Sequence, residues 1–196
     1  SNYVNNEIEF NRKKKLPSKY QIFWNKVRKR YSIIVDRSIA YLRWRYLDHP
    51  LIDYHFMVME NLNEILGYVI LRFETNNKEI GAARIIDMIV FPEHEKDLIQ
   101  KAVEYCLGKV DFIDFYCTSA IYEESLFSLN FIDTIKENIN LPSVFNPISY
   151  NRRKSLNFMF KLNEKTLRQK ANVNILLSDQ NNWYIVRGDC DVDRAY

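Results

Sequence analysis

The feature that most constrains this chain is a change of period at Asp53. Before it, apolar residues recur at helical spacing; after it, they alternate every second residue. Tyr54, Phe56 and Val58 alternate with His55, Met57 and Met59, which predicts a strand. Asn61-Leu62-Asn63-Glu64 is a turn, and Ile65 to Phe73 returns as a second strand, so the two runs form a hairpin. A further turn at Thr75-Asn76-Asn77-Lys78 leads to a third strand, Ala83 to Phe91, which Pro92 ends. Glu93 to Leu107 is the clearest helix, with Leu98, Ile99, Ala102, Val103 and Cys106 on one face. Acidic residues occupy its first turn and Gly108 closes it. A strand over Phe112–Cys117, a short helix over Ser119–Leu129 and a strand over Phe131–Ile135 follow. Three meandering strands and then a strand–helix–strand crossover imply an α/β (α+β) fold. Its sheet is mixed, mostly antiparallel, and flanked by helices on both faces.

Upstream, residues 1–16 are polar and basic and read as a flexible linker. From Pro17 a helix carries Tyr20, Phe23, Trp24, Val27 and Tyr31 on one stripe. Asp36 is placed to cap a second helix bearing Ile39, Ala40, Leu42, Tyr46 and Leu47, which Pro50 stops. Downstream, strands are expected near Leu156–Leu162 and Trp183–Val186. Residues 17–196 thus form one domain, and 47% hydrophobic residues supply its core and exclude a disordered chain. Cys106, Cys117 and Cys190 have no metal-binding spacing and read as reduced thiols of a cytoplasmic protein. No apolar run is long enough to span a membrane, so no membrane span is expected. Up to Arg45 the chain carries twelve Lys/Arg against three Asp/Glu. Such a basic segment attracts phosphates, yet its aromatics do not share its basic face, so nucleic acid is not the expected partner.

The order of elements from Asp36 to Ile135 resembles the GNAT superfamily of acetyl-CoA-dependent N-acetyltransferases. Ile86-Asp87-Met88-Ile89-Val90-Phe91-Pro92 is similar to the family strand that precedes the cofactor loop. Ser125-Leu126-Phe127-Ser128-Leu129-Asn130-Phe131 is similar to its short helix ending tyrosine–x–x–x–glycine–phenylalanine. Two further segments, Arg37 to Pro50 and Trp183 to Arg194, resemble GNAT-type proteins found with bacterial surface-polysaccharide assembly. The resemblance implies acetyl-CoA or another acyl-CoA as cofactor, along Met88, Ile89 and Val90, and an amino sugar or sugar nucleotide as acceptor. It also shows departures. The family's pyrophosphate loop reads arginine or glutamine, two residues, glycine, one residue, then glycine or alanine; here Glu95-Lys96-Asp97-Leu98-Ile99-Gln100 stands there. Leu126 occupies the place of the usual general-acid tyrosine. One lobe of a tandem protein, a lobe that has lost CoA binding, and a divergent enzyme all accommodate these differences. The opening Ser1-Asn2, with no methionine, favours the first and an expected companion lobe.

Acyl transfer to an amine needs a base and an acid. Asp87 interrupts an apolar strand and is a candidate base; the alternatives are pairing with Arg84 or Arg72, or a solvent-facing carboxylate. Tyr116, ending the next strand, is the candidate acid, or else a packing residue. Arg43, Trp44 and Arg45 set an indole between guanidinium groups, suited to stacking on a sugar and holding a phosphate. In the alternative reading Trp44 is core and the arginines hold carboxylates such as Asp48. Asp189 and Asp191 follow Gly188 near the same expected acceptor site. With Asp193 they alternate like oxygen ligands, but the glycine and distal glutamate of a calcium loop are absent, so no metal is expected.

Overall fold

The apolar stripe at Tyr20, Phe23, Trp24 and Val27 drives the first helix against a sheet, and all four side chains are buried. The computed structural model describes residues 7–75, 81–139, 141, 144–145, 148–149, 177 and 179–190. Its elements are β1 (Glu9–Arg12), α1 (Tyr20–Val27), β2 (Ile33–Ile34), α2 (Ile39–Leu42), β3 (His55–Glu60), β4 (Ile65–Thr75) and β5 (Gly81–Val90). Then follow α3 (Glu95–Cys106), β6 (Phe112–Phe115), α4 (Glu123–Ser128), β7 (Val144–Phe145), β8 (Ile148–Ser149) and β9 (Trp183–Tyr184).

Five strands form the main sheet in the order β1-β3-β4-β5-β6. β1, β3, β4 and β5 pair antiparallel, and β6 joins β5 in parallel after the α3 crossover. Side chains alternate across β4, so Tyr68 and Phe73 point to opposite faces. Tyr68 meets Tyr20 and Phe23 of α1, whereas Phe73 meets Tyr105 of α3. Helices therefore cover both faces, and every residue of β5 is buried. Each large apolar side chain taken fully from water there contributes about 1.5–3 kcal/mol.

Several boundaries differ from the sequence reading. Residues 9–12, placed in a flexible linker, form β1, because their backbone completes the edge of β3 from Glu9↔Glu60 to Arg12↔Met57. Ser38, not Asp36, caps the second helix by accepting from the Tyr41 amide at 3.3 Å. Asp36 instead accepts from the Trp24 indole at 3.0 Å. The second helix does not run regularly to Leu47: Arg43–Leu47 widen into a π-helical turn. Residues 131–135 form no strand; bends and turns held by the Asp133 carboxylate replace it. The strand expected at Leu156–Leu162 lies outside the described residues. Asn130, where the resembled motif has glycine, adopts φ 63°, a left-handed conformation that asparagine tolerates. No described helix is long and apolar enough to cross a membrane.

Candidate functional site

The π-helical turn after α2 sets the site's shape. The Asp48 amide reaches back five residues to the Arg43 carbonyl at 2.8 Å, and the widened turn redirects successive side chains. Leu42 and Tyr46 go into the core, while Trp44 is left 70% exposed. Trp44 is therefore not a core residue. Its ring lies 6.1 Å from Tyr41, tilted by 57°. Arg43 bridges Asp48 through Nε at 3.1 Å and Nη2 at 3.0 Å. Arg45 is more deeply committed, donating to the Gly188 carbonyl at 3.1 Å and the Tyr54 hydroxyl at 3.2 Å.

These residues line an open cleft of about 880 Å³. Val35, Tyr41, His49 and Pro50 line it too, and Gly188, Asp189 and Cys190 form its far wall. The structure thus places Arg43, Trp44, Arg45 and Asp189 around one cleft. Asp191 lies outside the described residues.

Beneath the cleft runs a buried charge network. Arg37 is wholly inaccessible. Its Nε donates to Asp87 Oδ2 at 2.8 Å and its Nη2 to Asp189 Oδ2 at 2.7 Å. Burial opposes the charge on Arg37, but the two carboxylates overcome it and hold its pKa well above the ordinary value. Burial pushes the Asp87 carboxyl up, with Arg37 opposing. Tyr68 donates to Asp87 Oδ2 at 3.1 Å, and the Met88 amide to Oδ1 at 3.0 Å.

Asp87 therefore has no exposed surface and both oxygens are engaged. A base must reach the proton it removes, so the role expected for Asp87 is corrected: it is a structural partner of Arg37. It pairs with neither Arg84 nor Arg72, which face Glu74 instead, Arg84 also meeting Asp114. Tyr116 stands apart, half-buried, its pKa raised by burial. No hydrogen bond joins it to Asp87 among the described residues, so the expected acid–base pair does not assemble.

The surroundings of Met88, Ile89 and Val90 decide the cofactor question. Between Ile70↔Asp87 and Leu71↔Ile85, Ile86 has no partner, which makes a bulge in β5. There, too, β6 leaves its neighbour, the last parallel pair being Ile85↔Phe115. Beyond that point β6 continues against the late segment instead. Cys117 bridges Val186, and the Thr118 amide donates to the Ile185 carbonyl at 3.0 Å. The Met88 carbonyl accepts from both the Tyr184 hydroxyl and the Tyr122 hydroxyl, the latter at 3.1 Å. The Val90 carbonyl accepts from Arg30 at 2.8 Å. Met88, Ile89 and Val90 have no exposed surface. At the start of α3, Glu95 is held by Arg30 and by Ser125, whose hydroxyl donates at 2.8 Å. These residues do not fit an acyl-CoA lying along β5, and the expectation for Met88, Ile89 and Val90 is corrected accordingly.

Sequence reasoning missed Arg37, Tyr122, Tyr184 and Arg30. Arginines in polar stretches give no burial signal, and the tyrosines' partner is a backbone carbonyl distant in sequence. Among the described residues no group of His, Cys, Asp or Glu is arranged to hold a metal ion.

No family model matches the chain, and no curated protein matches it. Among solved structures, it is similar to an acetyltransferase of Trypanosoma brucei at 16% identity and TM-score 0.45, over 65% of this chain and 94% of that one. It is also similar to an aminoglycoside acetyltransferase from an uncultured soil metagenomic sample, solved with sisomicin and with trehalose. That likeness has 14% identity and TM-score 0.44, over 80% of this chain and 96% of that one. At these identities and scores the likeness transfers no activity.

Proposed function

We propose that this chain is the acceptor-binding lobe of a GNAT-like N-acyltransferase system. It recognises an amino sugar or sugar nucleotide of surface-polysaccharide assembly in the cytoplasm, and a companion lobe supplies the acyl group. The observation that carries this reading is the cleft itself, where an exposed Trp44 shares the lining with Arg43 and Arg45. The flat face of the exposed indole suits the apolar side of a sugar ring. Among the described residues Arg43 is held by an exposed pair with Asp48. Such pairs contribute about 0–1 kcal/mol, so a ligand phosphate displaces Asp48 at little cost. Arg45 is tied to the wall and shapes the cleft rather than moving to meet a ligand.

The test is a titration with UDP-N-acetylglucosamine followed by tryptophan fluorescence and calorimetry. Of the three tryptophans only Trp44 lines the cleft, Trp24 being buried and Trp183 half-buried elsewhere, so the cleft indole dominates the response to ligand. Saturable binding is expected, weakened at least about tenfold by Trp44→Ala, equivalent to roughly 1.4 kcal/mol, with unchanged melting temperature. Undiminished affinity in Trp44→Ala, or no binding of any sugar nucleotide, overturns the reading.

A further inference from the structure

We infer that this lobe holds no acyl-CoA, because the chain fills the cofactor position with its own side chains. The inference rests on the groove between β5 and β6 and is independent of what occupies the Trp44 cleft. Where β6 departs from β5 after Ile85↔Phe115, an open wedge would expose the backbone of residues 86–90. A ligand lying along that edge needs free amide and carbonyl groups. None is offered by Met88: its amide donates to Asp87, and its carbonyl takes the hydroxyls of Tyr122 and Tyr184. Val90 gives its carbonyl to Arg30. Gly188 closes the same edge further back, since a Cβ there would stand 3.2 Å from the Ile86 carbonyl oxygen.

The filling is continuous. Tyr31 and Tyr122 share a hydrogen bond between their hydroxyls. The Tyr31 ring lies 4.8 Å from that of Tyr184, which is 6.0 Å from that of Tyr122. Burial pushes the hydroxyls of Tyr122 and Tyr184 well above their ordinary pKa, so they remain donors to the Met88 carbonyl across the physiological range. Beside them lies a pocket of about 290 Å³, bordered by Arg30, Ser119, Asn182 and Tyr184. That is at or below the ~300–1,000 Å³ of ordinary small-molecule sites, and an acyl-CoA is larger than most such ligands. The far end is also unfavourable, because Glu95 and Asp97 stand in the first turn of α3 with Glu93 just before it. A pyrophosphate there meets carboxylates instead of open amides.

The experiment is calorimetric titration of the full chain and of its Trp44→Ala variant with acetyl-CoA. Amide hydrogen exchange of residues 86–90 is followed in parallel. No binding tighter than about 1 mM is expected, and no change in exchange at those amides. Binding to Trp44→Ala tighter than that limit, with added protection at residues 86–90, overturns the inference. Acetyl-CoA binding that Trp44→Ala abolishes and UDP-N-acetylglucosamine displaces overturns it too, since the lobe then holds the cofactor in its cleft. A failure of the sugar nucleotide to bind overturns the proposed function and leaves this inference standing.

Discussion

Replacing Arg37 by leucine tests the buried network beneath the cleft. The guanidinium, Asp87 and Asp189 are all but inaccessible, with side-chain exposures of 0%, 0% and 1%. Removing the cation strands two carboxylates about which water cannot reorganise. Breaking a buried pair in this way costs about 3–5 kcal/mol. For a chain of this size, each kcal/mol moves the melting temperature by roughly 2–4 °C, so a fall of about 10 °C is expected. The loss depends on pH. Without Arg37, burial raises the folded-state pKa of Asp87 further above its unfolded value, and the folded state binds the extra proton. Stability of Arg37→Leu then declines as pH rises from the unfolded pKa, roughly 4, toward the raised folded one. The deficit relative to the parent is therefore smallest near pH 4 and grows toward neutrality. Urea denaturation from pH 4 to 8, with both proteins side by side, measures it. A deficit below about 1 kcal/mol at pH 7, or one that shrinks as pH rises, refutes the reasoning, since stranded charges cannot be that cheap.

Gly188→Ala drives a Cβ into the Tyr46 hydroxyl and to 3.2 Å from Ile86 backbone and side-chain atoms; overpacking of this kind costs about 1–3 kcal/mol, read as a lowered melting temperature. An unchanged value shows that the wall yields. Burial raises the Cys117 thiol from 9.0 to about 12. Native alkylation with iodoacetamide at pH 8 is therefore expected to run about 1,000-fold slower than for an unperturbed thiol, and mass spectrometry locates the labelled cysteine. Labelling at the ordinary rate shows that the segment beside Cys117 opens readily.

The hairpin, the third strand, the long helix and the parallel return are legible in the sequence because each carries its own period. Tyr68 and Phe73 alternate whatever lies above them, and Leu98, Ile99, Ala102 and Cys106 face inward on any helix. What escapes is whatever depends on a distant partner. β1 is four residues, and only the free edge of β3 makes it a strand. β2 is two residues long and exists through its parallel pairing with β9, some 150 positions later. Asp36 is a good cap on paper, but the Trp24 indole claims it and Ser38 takes the position. The cleft is half legible. A tryptophan flanked by arginines is a local pattern, so the sequence alone singles out the cluster. Asp87 illustrates the opposite case: a lone carboxylate in an apolar strand signals burial but not its use. Its use is decided by Arg37, fifty positions earlier.

Asp189 and Arg37 are separated by 152 positions, which has a consequence for how the molecule is made. During synthesis the hairpin and crossover can collapse as soon as residue 115 emerges, because their contacts are comparatively local. The tyrosine-filled groove and the wall of the cleft cannot, since both wait for residues 183–190. Until that stretch arrives, the Met88 carbonyl lacks Tyr184 and the Arg37 cation lacks Asp189. A nascent chain is thus a sheet with one raw side, and the cleft is the last part of it to close.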